Sequence, residues 1–301
     1  MADKPIVPCL WLDDQSEEAA RFYTRTFPGS RTTVVSRYPA SFDNPGGKPR
    51  GSVMTVEVEL AGQPFTLLNG GPMFVINPSV SFFVHAATPD EANRLFSALA
   101  EGGKVLMPLD AYPWSERYGW AQDRFGVSWQ VITGRPAPGG ATLVPALMFT
   151  GPQAGRAEEA MRAYTAVFPG GRIADLARSE EGEGPKGSVK LARFLLGGQD
   201  LAAMDSHYEH GFTFNEAVSL QVMCADQAEV DRYWGALSEG GTEGPCGWLK
   251  DRCGLSWQVV PRSIEEWIAS PDDAARDRAF RALLGMKKLD VAGLRRAFEG
   301  K

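Results

Sequence analysis

One nine-residue motif occurs twice in this chain. The first copy begins at Asp123 and reads Asp-Arg-Phe-Gly-Val-Ser-Trp-Gln-Val, and the second begins at Asp251 and reads Asp-Arg-Cys-Gly-Leu-Ser-Trp-Gln-Val. Self-similarity of this kind is the signature of an internal duplication, which fixes the architecture before any local propensity is considered. The chain is therefore predicted to contain two copies of one fold.

The similarity extends over almost the whole of both copies. Phe-Pro-Gly begins at Phe27 and again at Phe168, and Gly-Ser-Val begins at Gly51 and again at Gly187. The separation of matching residues changes only in stretches rich in Gly, Pro and Ser, where insertions lengthen surface loops at little cost. The largest change, 138 − 128 = 10 residues, removes from the second copy the loop that holds residues 111–114 in the first. The two copies need not bind the same molecule.

The composition argues against two classes of partner. With 37 acidic and 31 basic residues the net charge is −6, and no basic stripe is interleaved with aromatic residues, which argues against nucleic acid. No apolar run is long enough to span a bilayer and the N-terminus lacks a signal-peptide core, so we expect no membrane partner and a cytoplasmic location. The 4 cysteines form no Cys-x-x-Cys pair, so reduced thiols are expected.

Within each copy, the order strand, helix and three strands is predicted to occur twice. In the first copy one amphipathic helix opens at Ser16, and a second runs from Pro89, after a Thr88 cap, to Ala100. Helices of the second copy are predicted at 157–168 and 228–239. The result is an α+β protein with domains at 1–135 and 143–261, followed by a helical tail at 262–301 that has one apolar face and docks on a domain or on a partner subunit.

A β-α-β-β-β unit covers one sheet face with its helix and leaves the other, concave face free. Two such units are expected to enclose a cavity within each copy, and the cavity of the second copy is expected to be the better formed. On this interpretation the copies join near residues 136–142, no sheet crosses residue 140, and the chain is a pseudo-dimer that can still form a homodimer.

Several motifs make the chain resemble the vicinal oxygen chelate superfamily, which includes glyoxalase I, extradiol dioxygenases and antibiotic-resistance binding proteins. They are the two Phe-Pro-Gly stops, the segments 211–219 and 246–251, the two Ser-Trp-Gln endings and the segment 286–290. They are most similar to the PhnB-like branch, which carries the name 3-demethylubiquinone-9 3-methyltransferase domain. The resemblance covers nearly the whole chain and implies two tandem glyoxalase-like domains, each a pair of βαβββ units.

Metal-dependent members of the superfamily take His, Glu or Gln ligands from the inward faces of four strands, a set that suits a divalent ion with open positions. Carried onto this chain, the resemblance puts Gln130 and Gln258 at the final-strand ligand place, and Val7, Ser79 and Ala217 near the histidine places. A single Gln beside Val and Ala cannot hold a divalent cation. We therefore expect no metal and no other cofactor.

Candidate ligand-binding residues come mainly from the second copy. Asp205 ends a predicted strand, Asn215 precedes the next, and Gln258 lies in the last strand, so these three side chains are predicted to converge in an otherwise apolar cavity. Trp and Gln alternate in the last strand, which puts Trp257 under a helix and Gln258 toward the cavity. The candidate set is completed by Trp248, His207 and Gln130.

Two reactive side chains have more than one interpretation. His207 lies in a loop, where it is either an exposed side chain or an acid or base beside the cavity. Cys246, close to Trp248, is predicted to be a buried inert thiol rather than a nucleophile, because no histidine is predicted to flank it. No catalytic residue can be named from the sequence.

Three functions remain open at this stage. The leading hypothesis is metal-independent binding of a polar or cationic small molecule in the cavity. The alternative is an enzyme, either a metal-dependent lyase or dioxygenase or the methyltransferase of the branch name, although Asn69-Gly70-Gly71 lies between antiparallel-type strands and not in a nucleotide-binding turn. In the third, one copy serves only as a structural partner of the other.

Overall fold

The structure, a computed structural model, describes residues 5–41, 43–44, 46–134, 136–268 and 270–301. The first copy contains β1 (Ile6–Leu12), α1 (Ser16–Thr26), β2 (Arg31–Arg37), β3 (Val53–Leu60), β4 (Gln63–Asn69), β5 (Val80–His85), α2 (Pro89–Ala100), β6 (Lys104–Tyr112), β7 (Ser115–Gln122) and β8 (Ser128–Ile132). As predicted, α2 begins at Pro89, and the hydroxyl of its cap Thr88 accepts the N–H of Glu91 at 3.2 Å.

The second copy repeats this order, and the tail adds three helices. Its elements are β9 (Leu143–Phe149), a 3-10 turn (Gly151–Gln153), α3 (Ala157–Val167), β10 (Arg172–Arg178), β11 (Val189–Leu196), β12 (Gln199–Asp205), β13 (Val218–Cys224), α4 (Gln227–Ser238), β14 (Thr242–Glu243), β15 (Trp248–Lys250) and β16 (Ser256–Pro261). The tail forms α5 (Ser263–Ile268), α6 (Asp273–Leu284) and α7 (Val291–Glu299). The predicted α+β class and the helical tail are confirmed.

The strands form two eight-stranded sheets, and each sheet takes one unit from each copy. The first sheet has the order β2-β3-β4-β1-β13-β16-β15-β14, and the second has the order β6-β7-β8-β5-β9-β12-β11-β10. The joints are the antiparallel pairs β1 with β13 and β5 with β9. The second sheet therefore runs across residue 140, and the expectation that no sheet does so is wrong. Each concave face is built by both copies and not within one copy.

The two units of one copy instead share their helix-covered faces. Tyr23 of α1 donates its hydroxyl to Asp123 at 2.8 Å, and Trp129 of β8 donates its indole N–H to the same carboxyl oxygen at 2.8 Å. The second copy repeats this arrangement with Tyr164, Asp251 and Trp257, at 2.5 and 2.9 Å. Both tryptophans are fully buried in the main core, as predicted for side chains under a helix.

The repeated motif is thus explained by one turn. Asp123 also accepts the backbone N–H groups of Phe125 and Val127 at 2.8 and 3.0 Å, while Gly126 supplies the positive φ of 83° that the turn needs. Burial raises the pKa of Asp123 to about 6, and its four hydrogen bonds oppose the rise. The Gln of the motif, which alternates with Trp in the last strand, points away from this core, toward the concave face.

Candidate functional site

The concave face of the first sheet holds a cavity of about 260 Å³. In every strand of this face, residues alternate between the core and the cavity, because side chains of a strand point to opposite faces in turn. The strands β1, β3, β4, β13 and β16 form the floor, and residues of α5 and α6 close it from the other side. The tail is therefore part of the cavity wall.

A row of neutral polar side chains crosses the floor of this cavity. Thr66 of β4 donates its hydroxyl to the Gln221 carbonyl at 2.7 Å, and Gln221 of β13 donates its amide to the Gln258 carbonyl at 3.1 Å. Gln258 in turn donates its own amide to the Ser219 hydroxyl at 2.9 Å. Each group in the row is fixed by its neighbour, so the polar floor is organised before any ligand arrives.

Cys9 lies within the same floor, next to the polar row. In the sheet register it is opposite Thr66 on one side and Ser219 on the other. Burial raises the pKa of the Cys9 thiol to about 12, and hydrogen bonding with Gln258 and Ser219 only partly opposes this rise. At neutral pH Cys9 is an uncharged thiol, which is a poor nucleophile and a poor metal ligand.

One wall of the cavity is acidic. Glu57 and Glu59 of β3 point into the cavity, and Glu265 of α5 reaches it from the tail. Glu59 is paired with Arg31 at 2.9 Å. Burial and, second to it, the charge of Glu265 raise the pKa of Glu57 to about 7. Glu57 is therefore close to half-ionised at physiological pH.

The opposite end of the cavity is aromatic. Trp248 of β15 lines the cavity beside Gln258, and its ring meets Trp11 of β1 edge to face with centroids 6.0 Å apart. Cys246 also lines this end and has a positive φ of 58°. Burial raises the pKa of the Cys246 thiol, which agrees with an inert rather than a nucleophilic cysteine.

The tail is attached beside this aromatic end. The backbone N–H groups of Cys246 and Gly247 donate to the carbonyls of Met286 and Lys287 at 2.7 and 2.8 Å. Leu289 is fully buried, and its carbonyl accepts a hydrogen bond from Gln227 of α4 at 3.1 Å. This attachment places apolar tail residues over the cavity, namely Ile264, Ile268 and Leu283.

The second sheet has no comparable polar row at the corresponding positions. Gln130, the counterpart of Gln258, donates to Ser81 at 2.8 Å and accepts the Tyr118 hydroxyl at 2.7 Å. The positions that match Cys9, Thr66 and Gln221 by register hold Ala146, Ala202 and Phe83. These residues belong to an apolar cluster, so this face is filled where the first is hollow.

Two segments of the first copy do the filling. The hairpin of β6 and β7 contributes Tyr118 and Tyr112, and Tyr112 stacks on Trp114 with centroids 5.0 Å apart. The segment joining the copies adds Ala137 to the cluster, and it is held by the buried Asp200, which accepts the Gly139 N–H at 2.6 Å. Tyr112 and Trp114 lie in the stretch that the second copy lacks, so this stretch helps to close the second face.

One family model matches both copies of the chain. The model describes 3-demethylubiquinone-9 3-methyltransferase, and it matches residues 4–132 and again 141–260. The chain belongs to this family. The tail lies outside the matched residues, and no curated protein matches the chain.

Several solved structures are similar to this chain. A putative 3-demethylubiquinone-9 3-methyltransferase, PhnB protein, from Bacillus cereus is 35% identical, over 44% of this chain and 100% of its own, with a TM-score of 0.40. Protein PA1353 from Pseudomonas aeruginosa is 28% identical, over 42% of this chain and 93% of its own, with a TM-score of 0.35. Glyoxalase I from Zea mays is 15% identical over 86% of this chain and 93% of its own, with a TM-score of 0.53, which shows the glyoxalase fold.

The residues around Gln258 are poor ligands for a divalent metal ion. Gln258 stands at the final-strand place, but its amide and carbonyl are both used within the polar row. Beside it are a hydroxyl, a second amide and the protonated thiol of Cys9. Among the described residues no group of three His, Cys, Asp or Glu side chains is arranged to hold a metal. This donor set does not fit a divalent cation.

Two of the predicted site residues line the cavity of this family member. Gln258 and Trp248 do so, as residues of adjacent strands. Gln130 lies in the second sheet and is enclosed by Tyr118 and Ser81. His207 is exposed in the loop after β12.

The predicted convergence of Asp205, Asn215 and Gln258 is wrong. Asp205 belongs to the second sheet, and its carboxylate accepts the N–H groups of Gly155, Ala157 and Val189 at 2.8 to 3.1 Å. Asn215 bonds to the backbone of Val75 and Ala217, both at 2.9 Å. Both side chains hold loops in place, because strand-end carboxylates and amides readily accept nearby backbone N–H groups.

Sequence reasoning missed the acidic wall and part of the polar row. In β3 the residues Thr55, Glu57 and Glu59 alternate with buried valines, so the period of two already assigned them to the cavity face. Thr66 and Gln221 follow the same rule in β4 and β13. The alternation predicted which face they share, but it did not predict that β13 of the second copy lies beside β1 of the first.

Among the described residues, no helix is both long enough and apolar enough to cross a membrane.

Proposed function

We propose that this protein binds a small molecule in the cavity of the first sheet and does so without a metal ion. The observation that carries the proposal is the polar row on the cavity floor, from Thr66 through Gln221 and Gln258 to Ser219. Neutral donors and acceptors fixed in one geometry, with an apolar roof above them, are the usual composition of a small-molecule site. One member of the row, Gln258, stands where the resemblance puts the final-strand metal ligand.

One binding site per chain follows from the difference between the two sheets. The first sheet has the cavity, whereas the corresponding face of the second sheet is filled by Tyr118, Phe83 and the segment that joins the copies. The second face then serves only to stabilise the pseudo-dimer. The first sheet would bind the ligand, and the second sheet would have the structural role. The chain therefore needs both copies to build its single site.

An enzyme is the second candidate, and one observation favours it beyond the family description. Glu57 has a pKa of about 7 and faces the cavity, where a carboxylate of this basicity can accept a proton from a bound substrate at neutral pH. Among the described neighbours of Glu57 in the cavity, Thr33 and Thr66 are neutral and Cys9 is a protonated thiol. We therefore place binding before catalysis.

Native mass spectrometry of protein purified without chelators tests the proposal. We expect one copurified small molecule per chain and no stoichiometric divalent metal in a parallel elemental analysis. The variant Gln258→Leu should lose the copurified molecule, and Gln130→Leu should keep it. Retention of the molecule in Gln258→Leu, or one bound zinc, nickel, iron or manganese per chain, would refute the proposal.

Location and assembly remain proposals. The described cysteines Cys9, Cys224, Cys246 and Cys253 are all free thiols, which fits the expected cytoplasmic location. A homodimer would place two of these pseudo-dimers together. Analytical ultracentrifugation of the full chain distinguishes a monomer of 32.7 kDa from a dimer.

A further inference from the structure

The charged residues in the wall of the cavity are all acidic. Glu57, Glu59 and Glu265 contribute to it, and no lysine, arginine or histidine among the described residues lines it. The remaining wall is a mixture of neutral polar groups and apolar side chains. An anion entering this cavity would meet acidic groups and no basic side chain among the described lining residues, whereas a cation would meet opposite charge.

Glu57 differs from the other carboxylates in its contacts. Glu59 already has an ion-pair partner in Arg31 at 2.9 Å, and Glu265 has interactions of its own within the structure. The Glu57 carboxylate, by contrast, receives no hydrogen bond from any described residue, and Glu57 is half-buried in the cavity wall. A carboxylate in such a position is left without a protein donor, so a cationic ligand can supply the missing interaction.

The groups that face Glu57 from the neighbouring elements are neutral or acidic. From β4 and β2 the cavity neighbours are the neutral Thr66 and Thr33, and from β1 it is the Cys9 thiol, whose own pKa the Glu57 charge raises. From the tail it is Glu265, whose charge acts on Glu57 from α5. None of these groups supplies a positive charge.

We propose that the ligand of this cavity is an organic monocation, a protonated or quaternary amine with an apolar body, whose ammonium group lies against Glu57. The proposal rests on the proposed binding function of the same cavity. The apolar body would pack against Val260 of β16 and against Ile264, Ile268 and Leu283 of the tail. Trp248, at the opposite end of the cavity from Glu57, adds an aromatic surface for the far part of the apolar body.

Binding of such a cation is coupled to the release of a proton. The ionised form of Glu57 attracts the ammonium group, and the protonated form does not. Below a pH of about 7 most chains carry a protonated Glu57, so the apparent affinity falls by the fraction that is ionised. Affinity therefore rises with pH from the acid side and levels off above pH 7.

Isothermal titration calorimetry with three probes of similar size tests the charge preference. Benzyltrimethylammonium keeps its charge at every pH, benzyl alcohol is neutral and benzoate is an anion. With the full chain at pH 8, we expect the cation to bind with a stoichiometry of one and at least about tenfold more tightly than either of the others. At pH 5.5, where most of Glu57 is protonated, the affinity for the cation should fall by about tenfold, the same loss that removal of the charge in Glu57→Gln should cause.

Two variants locate the effect. Glu57→Gln should weaken binding of benzyltrimethylammonium by about tenfold at pH 8 and remove the pH dependence. Glu101→Gln, a matched change at an exposed residue of the second sheet's unit, should behave as the wild type. Urea unfolding of both variants confirms that each is folded.

The possible failures are distinguishable. Tighter binding of benzyl alcohol or benzoate, or an unchanged affinity in Glu57→Gln, overturns the cation while leaving the cavity as a binding site. Failure of the cation to bind at millimolar concentration also overturns it. The proposed binding function is decided separately, by the copurified molecule and its loss in Gln258→Leu.

Discussion

Gln130 and Gln258 occupy the same position of the repeated motif in the two copies, and each donates its amide to a serine of the neighbouring parallel strand, at 2.8 and 2.9 Å. Their side-chain carbonyl groups, in contrast, accept hydrogen bonds from different residues. The Gln130 carbonyl accepts the phenol of Tyr118, and the Gln258 carbonyl accepts the amide of Gln221. A phenol fills the space above the first glutamine, and a cavity lies above the second.

This relationship provides a matched pair of variants. Gln130→Leu and Gln258→Leu each remove two buried hydrogen bonds, so each should lower the free energy of unfolding by about 1–3 kcal/mol. Only Gln258→Leu should weaken ligand binding, by about tenfold. Urea denaturation and calorimetry with the copurified ligand measure the two effects. Equal loss of affinity in both variants would contradict the assignment of the site to the first sheet.

Stability should depend on pH through Glu57. Its pKa in the folded state, about 7, is above the value of an ordinary glutamate, so folding takes up a proton. The stabilisation of the folded state by this proton uptake is complete below a pH of about 4.5 and is lost as the pH rises through 7. Between pH 5 and 8 the free energy of unfolding of the wild type should fall by on the order of 1–3 kcal/mol more than that of Glu57→Gln.

Urea midpoints of the wild type and Glu57→Gln at both pH values give this difference directly. Asp123 and Asp251, whose pKa values are also raised by burial, titrate in both proteins and cancel in the comparison. Parallel curves for the two proteins across this pH range would be inconsistent with a buried Glu57.

The duplicated turn can be tested with Asp251→Asn. The carboxylate of Asp251 accepts the Tyr164 hydroxyl, the Trp257 indole N–H and the backbone N–H groups of Cys253 and Leu255. The asparagine side chain has the same shape, but only one of its two terminal atoms is an acceptor. Its NH₂ group would face two hydrogen-bond donors, so the variant should lose about 2–4 kcal/mol of stability. Guanidinium unfolding followed by tryptophan fluorescence provides the measurement, and a loss below about 1 kcal/mol would argue against the buried role.

Attachment of the tail should be sensitive to Gly247. This glycine has a φ of 84°, its N–H donates to the Lys287 carbonyl, and an added Cβ would lie 2.7 Å from the Val259 carbonyl oxygen. Gly247→Ala should destabilise the protein by about 1–3 kcal/mol and increase protease cleavage within residues 262–301.

Gly235→Ala is the control for this change. Gly235 lies within α4 and has open space around its Cα, so alanine there should be neutral or raise stability by up to about 1 kcal/mol. Cleavage of the tail at the wild-type rate in Gly247→Ala would show that the tail is held elsewhere.

Local rules predicted most of the fold and part of the site. The period of two placed Trp257 in the core and Gln258 on the concave face, and turn and cap signals gave the helices. The pairing of β1 with β13 could not be predicted in this way, because either unit of the second copy presents a similar strand edge to β1. Asp205 was misassigned for a related reason: a strand pattern does not show which backbone N–H groups a carboxylate will meet.

The crossing of the sheets between copies has an evolutionary consequence. In a symmetric homodimer of a single-copy relative, every substitution appears at both composite sites, and neither can specialise without the other. In a fused chain each half mutates alone, so Phe83 and Ala202 could accumulate at one site while Gln221 and Thr66 stayed at the other. Fusion therefore allows the concave face of the second sheet to become part of the apolar core, while the cavity of the first sheet can change its specificity independently.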